Sequence, residues 1–187
     1  MLKTILTHID FLTEQIEMLD QEIAERVSTY EEDIERLDSI PGIARRMAEQ
    51  ILAEIGTDVK KQFPTAAHLC SWAALVPGHN ESAGKRKSTR SKKGNKYLRS
   101  ALTEAAQSVR GSKNYLGALY RRKAGRKGNK RAAIVVAHAI LRIAYYLLIR
   151  KEMYVDLGED YFDKQRQVSI VRKLRLFGYN NRSFLIH

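Results

Sequence analysis

From Ala132 to Ile149 the chain is apolar on nearly every face of a helix, with only His138 and Arg142 interrupting. A helix of that kind has to be enclosed, either by lipid or by other helices. Two polar interruptions within a run of marginal spanning length favour the buried core helix over a membrane span. The expectation is therefore an all-α fold, without a membrane, in which the other helices surround residues 132–150. Those helices are visible as apolar residues at helical spacing. Met47, Ile51, Leu52 and Ile55 share one face of a helix from Ala44 to Ile55, which Gly56 ends. Phe63-Pro64-Thr65 starts another, with Thr65 as its cap, running through Leu69, Trp72 and Leu75 to Pro77. Trp72 is expected as a core anchor in preference to a stacking platform for a base, because apolar neighbours flank it at helical spacing, and His68, without a ligand-spaced companion, as a structural histidine. A helix opening at residues 94–99 puts Leu98, Ala101, Leu102, Ala105 and Val109 inside. Tyr115 to Arg126 gives a shorter one, punctuated by Gly125 and Gly128.

The first segment has a different pattern. Leu2, Ile5, Ile9, Leu12, Ile16, Leu19 and Ile23 recur at coiled-coil spacing, with Ile at successive a positions and Leu at d. Such a stripe calls for a partner helix, so self-association into a homo-oligomer is expected. After Ile23 the phase slips: Val27, Tyr30, Ile34 and Leu37 continue the stripe only with a four-residue insertion, and the alternative is a break near Val27 to Thr29. This gives a division into a coiled-coil helix (1–36), a helical domain (37–160) and a C-terminal tail (161–187) of unassigned structure.

Charge is segregated along the same lines. The chain carries a formal net charge of +12 and a pI near 9.9, which favours a polyanionic partner. Residues 1–36 are acidic on balance, whereas between Lys85 and Lys151 the only carboxylate is Glu104. The surface for nucleic acid is expected in the second half. The single cysteine, Cys70, excludes an internal disulfide and a cysteine-based zinc finger, in keeping with a reducing cytoplasm.

Two segments carry candidate chemistry. Leu37-Asp38-Ser39-Ile40-Pro41-Gly42-Ile43, followed by a helix, resembles a helix-hairpin-helix motif, in which a Pro-Gly turn lets backbone amides approach a phosphate. Gly42, Arg45 and Arg46 are the candidate contacts there, and the plainer alternative is a corner that needs glycine for geometry alone. The second segment is the polar loop from Gly78 to Lys93, long for a passive connection. It presents Ser82 beside an acid-free run of cations: Lys85, Arg86, Lys87, Arg90, Lys92, Lys93, Lys96 and Arg99. A serine hydroxyl can attack phosphorus while cations stabilise the charge on the non-bridging oxygens. The residues alone equally allow a loop that only grips a nucleic-acid backbone. Tyr97 is a rival nucleophile, ranked lower because its spacing with Leu98, Ala101 and Leu102 sets it on or beside the buried face and because the Arg and His companions of tyrosine recombinases are not evident. Arg121, Arg122, Lys123, Arg126 and Lys127, with Lys130 and Arg131, form a further candidate backbone contact, or else a solvated face.

The order of Ser39-Ile40-Pro41-Gly42-Ile43, Phe63-Pro64-Thr65, Trp72-Ala73-Ala74-Leu75-Val76-Pro77-Gly78, Asn80-Glu81-Ser82-Ala83-Gly84-Lys85 and Lys93-Gly94-Asn95-Lys96-Tyr97-Leu98-Arg99 resembles the carboxy-terminal transposase domain of the IS110 family, with its relatives IS116 and IS902. The resemblance covers roughly residues 30 to 150, and the helical linker of that family is similar to the segment before it. It implies a DNA recombinase that cuts and rejoins DNA with a serine, here Ser82. It also implies a RuvC-like acidic domain that binds Mg2+, and a bridge RNA that guides target choice. In the family the acidic domain precedes the coiled coil, whereas this chain begins at the coil. The expectation is a truncated protein or fragment with no cofactor of its own, which binds nucleic acid and self-associates but does not recombine DNA alone. The alternatives are a non-catalytic helix-hairpin-helix binder of nucleic acid and an oligomerisation module with a basic tail.

Overall fold

A computed structural model describes residues 1–77, 81–82, 85–86 and 93–176, with side chains for residues 1–77 and 93–173. Helix α1 spans Leu2–Val27, a 3-10 turn follows at Ser28–Tyr30, and α2 spans Glu31–Asp38. Then come α3 (Arg45–Ile55), α4 (Val59–Gln62), α5 (Ala66–Trp72), the two-residue strands β1 (Glu81–Ser82) and β2 (Lys85–Arg86), and α6 (Lys96–Ser108). A second 3-10 turn at Val109–Gly111 leads to α7 (Tyr115–Lys127), α8 (Asn129–Arg150) and α9 (Tyr161–Leu176). Apart from the strand pair, the described residues are helical or connecting, and the all-α expectation holds.

The apolar run is the centre of the fold. Helix α8 packs against α2, α4, α5, α6 and α7, and Val136, Ala137, Ile140, Leu141 and Ala144 on it are fully enclosed. By length and composition α8 would suffice to cross a membrane, but more than half of its apolar window is buried inside the protein. Five of its core residues are alanines, at positions 132, 133, 137, 139 and 144. Small side chains let neighbouring helices approach closely. The inward residues expected on α6 (Leu98, Ala101, Leu102, Ala105) and Val109 after it are all buried, as are Ile51, Leu52 and Ile55 on α3. Cys70 is also in the core, where burial pushes its thiol up to about 11 and leaves it a poor nucleophile at neutral pH.

The phase slip after Ile23 has a structural counterpart. Val27 ends α1, the Ser28–Tyr30 turn re-phases the chain, and Ile34 and Leu37 enter the core. The upstream stripe stays outside: Ile5, Ile9, Leu12, Ile16, Leu19 and Ile23 are each exposed, and α1 buries no residue. The stripe and the core thus belong to different packing problems, and the 3-10 turn hands one over to the other.

One acid is buried with the core. Asp33 accepts from Arg36 Nη1 at 2.7 Å and from Lys151 Nζ at 2.9 Å, tying α2 to the left-handed residue that ends α8. Arg36 is largely covered, whereas about half of the Lys151 side chain stays in water. Asp33→Ala would leave Arg36 under-paired but let Lys151 be solvated, so the expected loss is roughly 1–2 kcal/mol, read as a lower urea midpoint with unchanged m-value.

Residues 161–187, left unassigned by their sequence, begin with a helix. Tyr161 and Phe162 pack on Tyr115 with ring centroids 5.2 and 5.4 Å away, and Arg122 lies 4.8 Å over the Phe162 ring. Aromatic contacts at its first turn dock α9 on α7; beyond them, residues 163–173 are exposed.

Candidate functional site

The Pro41-Gly42 turn is built inward. Gly42 has φ +89, and a Cβ there would lie 2.6 Å from the Ala105 carbonyl oxygen and 2.6 Å from Val109 Cγ1. The glycine is therefore required by close packing on the end of α6, the role of a corner that needs glycine for its geometry. The two arginines behind it are engaged with acids. Arg45 makes a two-pronged pair with Glu31, Nη2 to Oε2 at 2.7 Å, and also reaches Glu49 at 3.1 Å. Its hydrogen bonding holds the Glu31 carboxyl below the usual range. Arg46 pairs with Asp20 of α1. Both arginines lie at the surface, and a phosphate reaching either of them would have to displace a carboxylate.

The loop with Ser82 is closed at its foot by a specific set of contacts. Thr65 caps α5 as expected, its hydroxyl accepting from the His68 amide and lying 2.8 Å from His68 Nδ1, so that His68 serves the cap. The helix ends earlier than its pattern suggested, at Trp72 instead of near Pro77. The cause is backbone geometry: Ala74 takes a left-handed φ of 56, its amide donating to the Ser71 carbonyl at 3.1 Å and the Leu75 amide to the Cys70 carbonyl at 3.0 Å. This is a Schellman ending with alanine where glycine is usual, a conformation that costs on the order of 1 kcal/mol. Apolar spacing cannot reveal it, because Leu75 is buried whether or not the helix continues.

Gly94 fits against that ending. A Cβ on it would lie 2.4 Å from the Trp72 carbonyl oxygen and 2.7 Å from Ala74 Cβ. The next residue seals the join: the Asn95 amide donates to the Trp72 carbonyl at 3.3 Å. The Asn95 side-chain oxygen caps α6 by accepting from the Leu98 amide at 2.9 Å, while its Nδ2 donates to Glu54 on α3. Trp72 and Asn95 thus hold together the two ends of the intervening segment. Within that segment Ser82 pairs with Lys85, and Glu81 with Arg86, in an antiparallel two-residue ladder. The side chains of Ser82, Lys85 and Arg86, and all of Lys87, Arg90 and Lys92, lie outside the described residues.

Lys93 and Lys96 are exposed and Arg99 is half-buried. Two aromatic side chains are placed differently from their sequence reading. Trp72 is 40% exposed, not a core anchor, its ring resting on Phe63 at 5.3 Å. Tyr97 is 58% exposed with Lys96 Nζ 4.9 Å over its ring, so its distance from the core gives no ground for ranking it below Ser82. Both corrections have one origin: each ring stands at a helix end, where the facing rules of a helix interior stop applying.

The second basic cluster divides into two parts. Arg121 donates to the Ser112 carbonyl at 2.8 Å and lies 3.5 Å from Glu159, and Arg122 covers Phe162, so these two join α7 to the C-terminal segment. Lys123 is half-buried. Arg126 and Lys127 at the end of α7, and Lys130 and Arg131 at the start of α8, are exposed around the Gly128 turn. Cations in the last turn of α7 suit its dipole, whereas those in the first turn of α8 oppose it, with no acid to compensate. That arrangement costs stability and suits an anion. Among the described residues no group of three or more His, Cys, Asp or Glu side chains is arranged to hold a metal ion.

Residues 34–122, from α2 into α7, match the model of the Transposase IS116/IS110/IS902 family. Over 143 residues the chain is also 32% identical to the transposase for insertion sequence element IS1111A of Coxiella burnetii, an alignment covering 72% of this chain. The chain belongs to the IS116/IS110/IS902 transposase family. It spans 38% of the length of the Coxiella relative. The matched family region contains the Pro41-Gly42 turn, the Trp72–Asn95 foot and Ser82, and it ends just inside the second basic cluster.

Proposed function

We propose that this chain is the serine-bearing, DNA-handling part of an insertion-sequence transposase. The observation that carries this reading is the placement of Ser82 within the matched family region, in register with Lys85 on a segment whose foot is fixed by Trp72, Gly94 and Asn95. Ser82 Oγ would attack a DNA phosphorus. The new P–O bond forms as the bond to one sugar oxygen breaks; the serine gives up its proton and the departing sugar oxygen takes one up. Lys85, Arg86, Lys87, Arg90, Lys92 and Lys93 would hold backbone phosphates, with Lys96 and Arg99 flanking the scissile one. Arg126, Lys127, Lys130 and Arg131 would hold a more distant stretch of backbone, to which Arg121, Arg122 and Lys123 add field more than contact. Arg45 and Arg46 would join only by exchanging Glu31, Glu49 and Asp20 for phosphate.

The family resemblance adds partners. Mg2+ would belong to an acidic RuvC-like domain, a bridge RNA would select the target, and a second copy would meet the exposed stripe of α1. Among the described residues no group of acidic, histidine or cysteine side chains composes a metal site. A buried, unreactive Cys70 suits a reducing, cytoplasmic setting.

Salt titration of duplex binding tests the electrostatic part. Six to ten phosphate contacts predict a fall in affinity of roughly a thousandfold or more between 50 and 200 mM salt. An affinity that stays flat over that range would mean that the cations serve only solubility.

A further inference from the structure

We propose that Trp72 and Tyr97 form a stacking platform for an unpaired DNA base drawn out beside the Ser82 segment, an inference that rests on the strand-exchange reading above. The two residues are joined through one foot of backbone: the Trp72 carbonyl accepts from the amide of Asn95, two residues before Tyr97. Both are open to solvent, at 40% and 58%. Phe63 supports Trp72 on one side at a tilt of 53°, and the Lys96 ammonium covers one face of Tyr97. Exposed cations neighbour both residues along the chain, Lys60 and Lys61 on α4 just before Phe63, and Lys93 and Lys96 beside Asn95.

Holding phosphates requires the cations but not the rings. Leaving the single tryptophan of the chain 40% exposed forgoes part of the hydrophobic burial its ring offers. Aromatic faces beside exposed cations fit bases that have lost their pairing partners, since every base offers a flat π surface. Exchange of DNA strands unpairs bases at the point of cutting, and the strand entering this foot would be the one whose phosphate meets Ser82. DNA is therefore the favoured occupant over RNA.

Because Trp72 is the sole tryptophan, its emission reports this ring directly. The 187-residue chain is titrated with a short oligodeoxynucleotide and with the same strand made abasic, anisotropy reading binding and emission reading stacking. The base-bearing strand is expected to quench Trp72 and bind about tenfold more tightly than the abasic one. Tyr97→Leu, at an exposed position where folding is kept, should remove most of that difference and leave the abasic affinity unchanged. Binding of both strands without quenching overturns the platform while leaving DNA binding intact. No binding of either strand, or of duplex, overturns the platform and the DNA reading together. Stronger quenching and tighter binding by RNA of the same sequence overturns the assignment to DNA.

Discussion

Gly42→Ala is expected to destabilise the helical domain by roughly 2–4 kcal/mol, a sum of the left-handed backbone cost and the overlap of a methyl group with α6. The methyl would meet the Ala105 carbonyl, Val109 Cγ1 and Ser108 Oγ, and two of these are fixed by the helix ending and by the core. For a chain of this size the shift in melting temperature is about 10 °C. Gly125→Ala supplies the contrast. Gly125 lies within α7 with nothing near its missing Cβ, so alanine there should stabilise by about 0.5–1 kcal/mol through helix propensity. The pair also decides what the Pro41-Gly42 turn is for. An unchanged melting temperature for Gly42→Ala, accompanied by weaker DNA binding, would assign the turn to phosphate contact as in a helix-hairpin-helix motif.

Ser82→Ala is expected to abolish covalent chemistry in a transposition assay supplied with the acidic domain and guide RNA, a loss of at least roughly a thousandfold. Duplex affinity should change by less than about twofold, because phosphate contacts set it and alanine removes none of them. The separation matters, since a purely structural serine would disturb both quantities together. A non-catalytic binding module would lose neither. Retained turnover in Ser82→Ala would remove the hydroxyl from the mechanism.

Which features could be read from residues alone follows from the physics of each. Helix α8 was recognisable because an all-round apolar helix has few places to go, and the caps at Thr65 and Gly56 because their chemistry is local. The slip after Ile23 marked the 3-10 turn where an exposed stripe gives way to core residues. Trp72 and Tyr97 were misplaced because both sit at helix ends, and the early end of α5 depends on Ala74 adopting a conformation that alanine disfavours. Helix α9 gave no clear periodic signal, since it docks through the two rings at its start. The ion pairs of Arg45 and Arg46 with Glu31, Glu49 and Asp20 join separate elements, and local pattern cannot forecast such pairs. Ser82 was singled out by composition around it and by family resemblance; its side chain is not among those described.

Trapping the covalent linkage decides whether Ser82 is the nucleophile. The chain is mixed with the acidic RuvC-like domain and bridge RNA proposed as its partners and with a DNA substrate carrying a bridging phosphorothiolate at the cut, and the adduct is mapped by peptide mass spectrometry. The expected result is a DNA-linked peptide modified at Ser82. A substrate cut with the link at Tyr97, or with no protein link at all, would exclude Ser82 as the nucleophile.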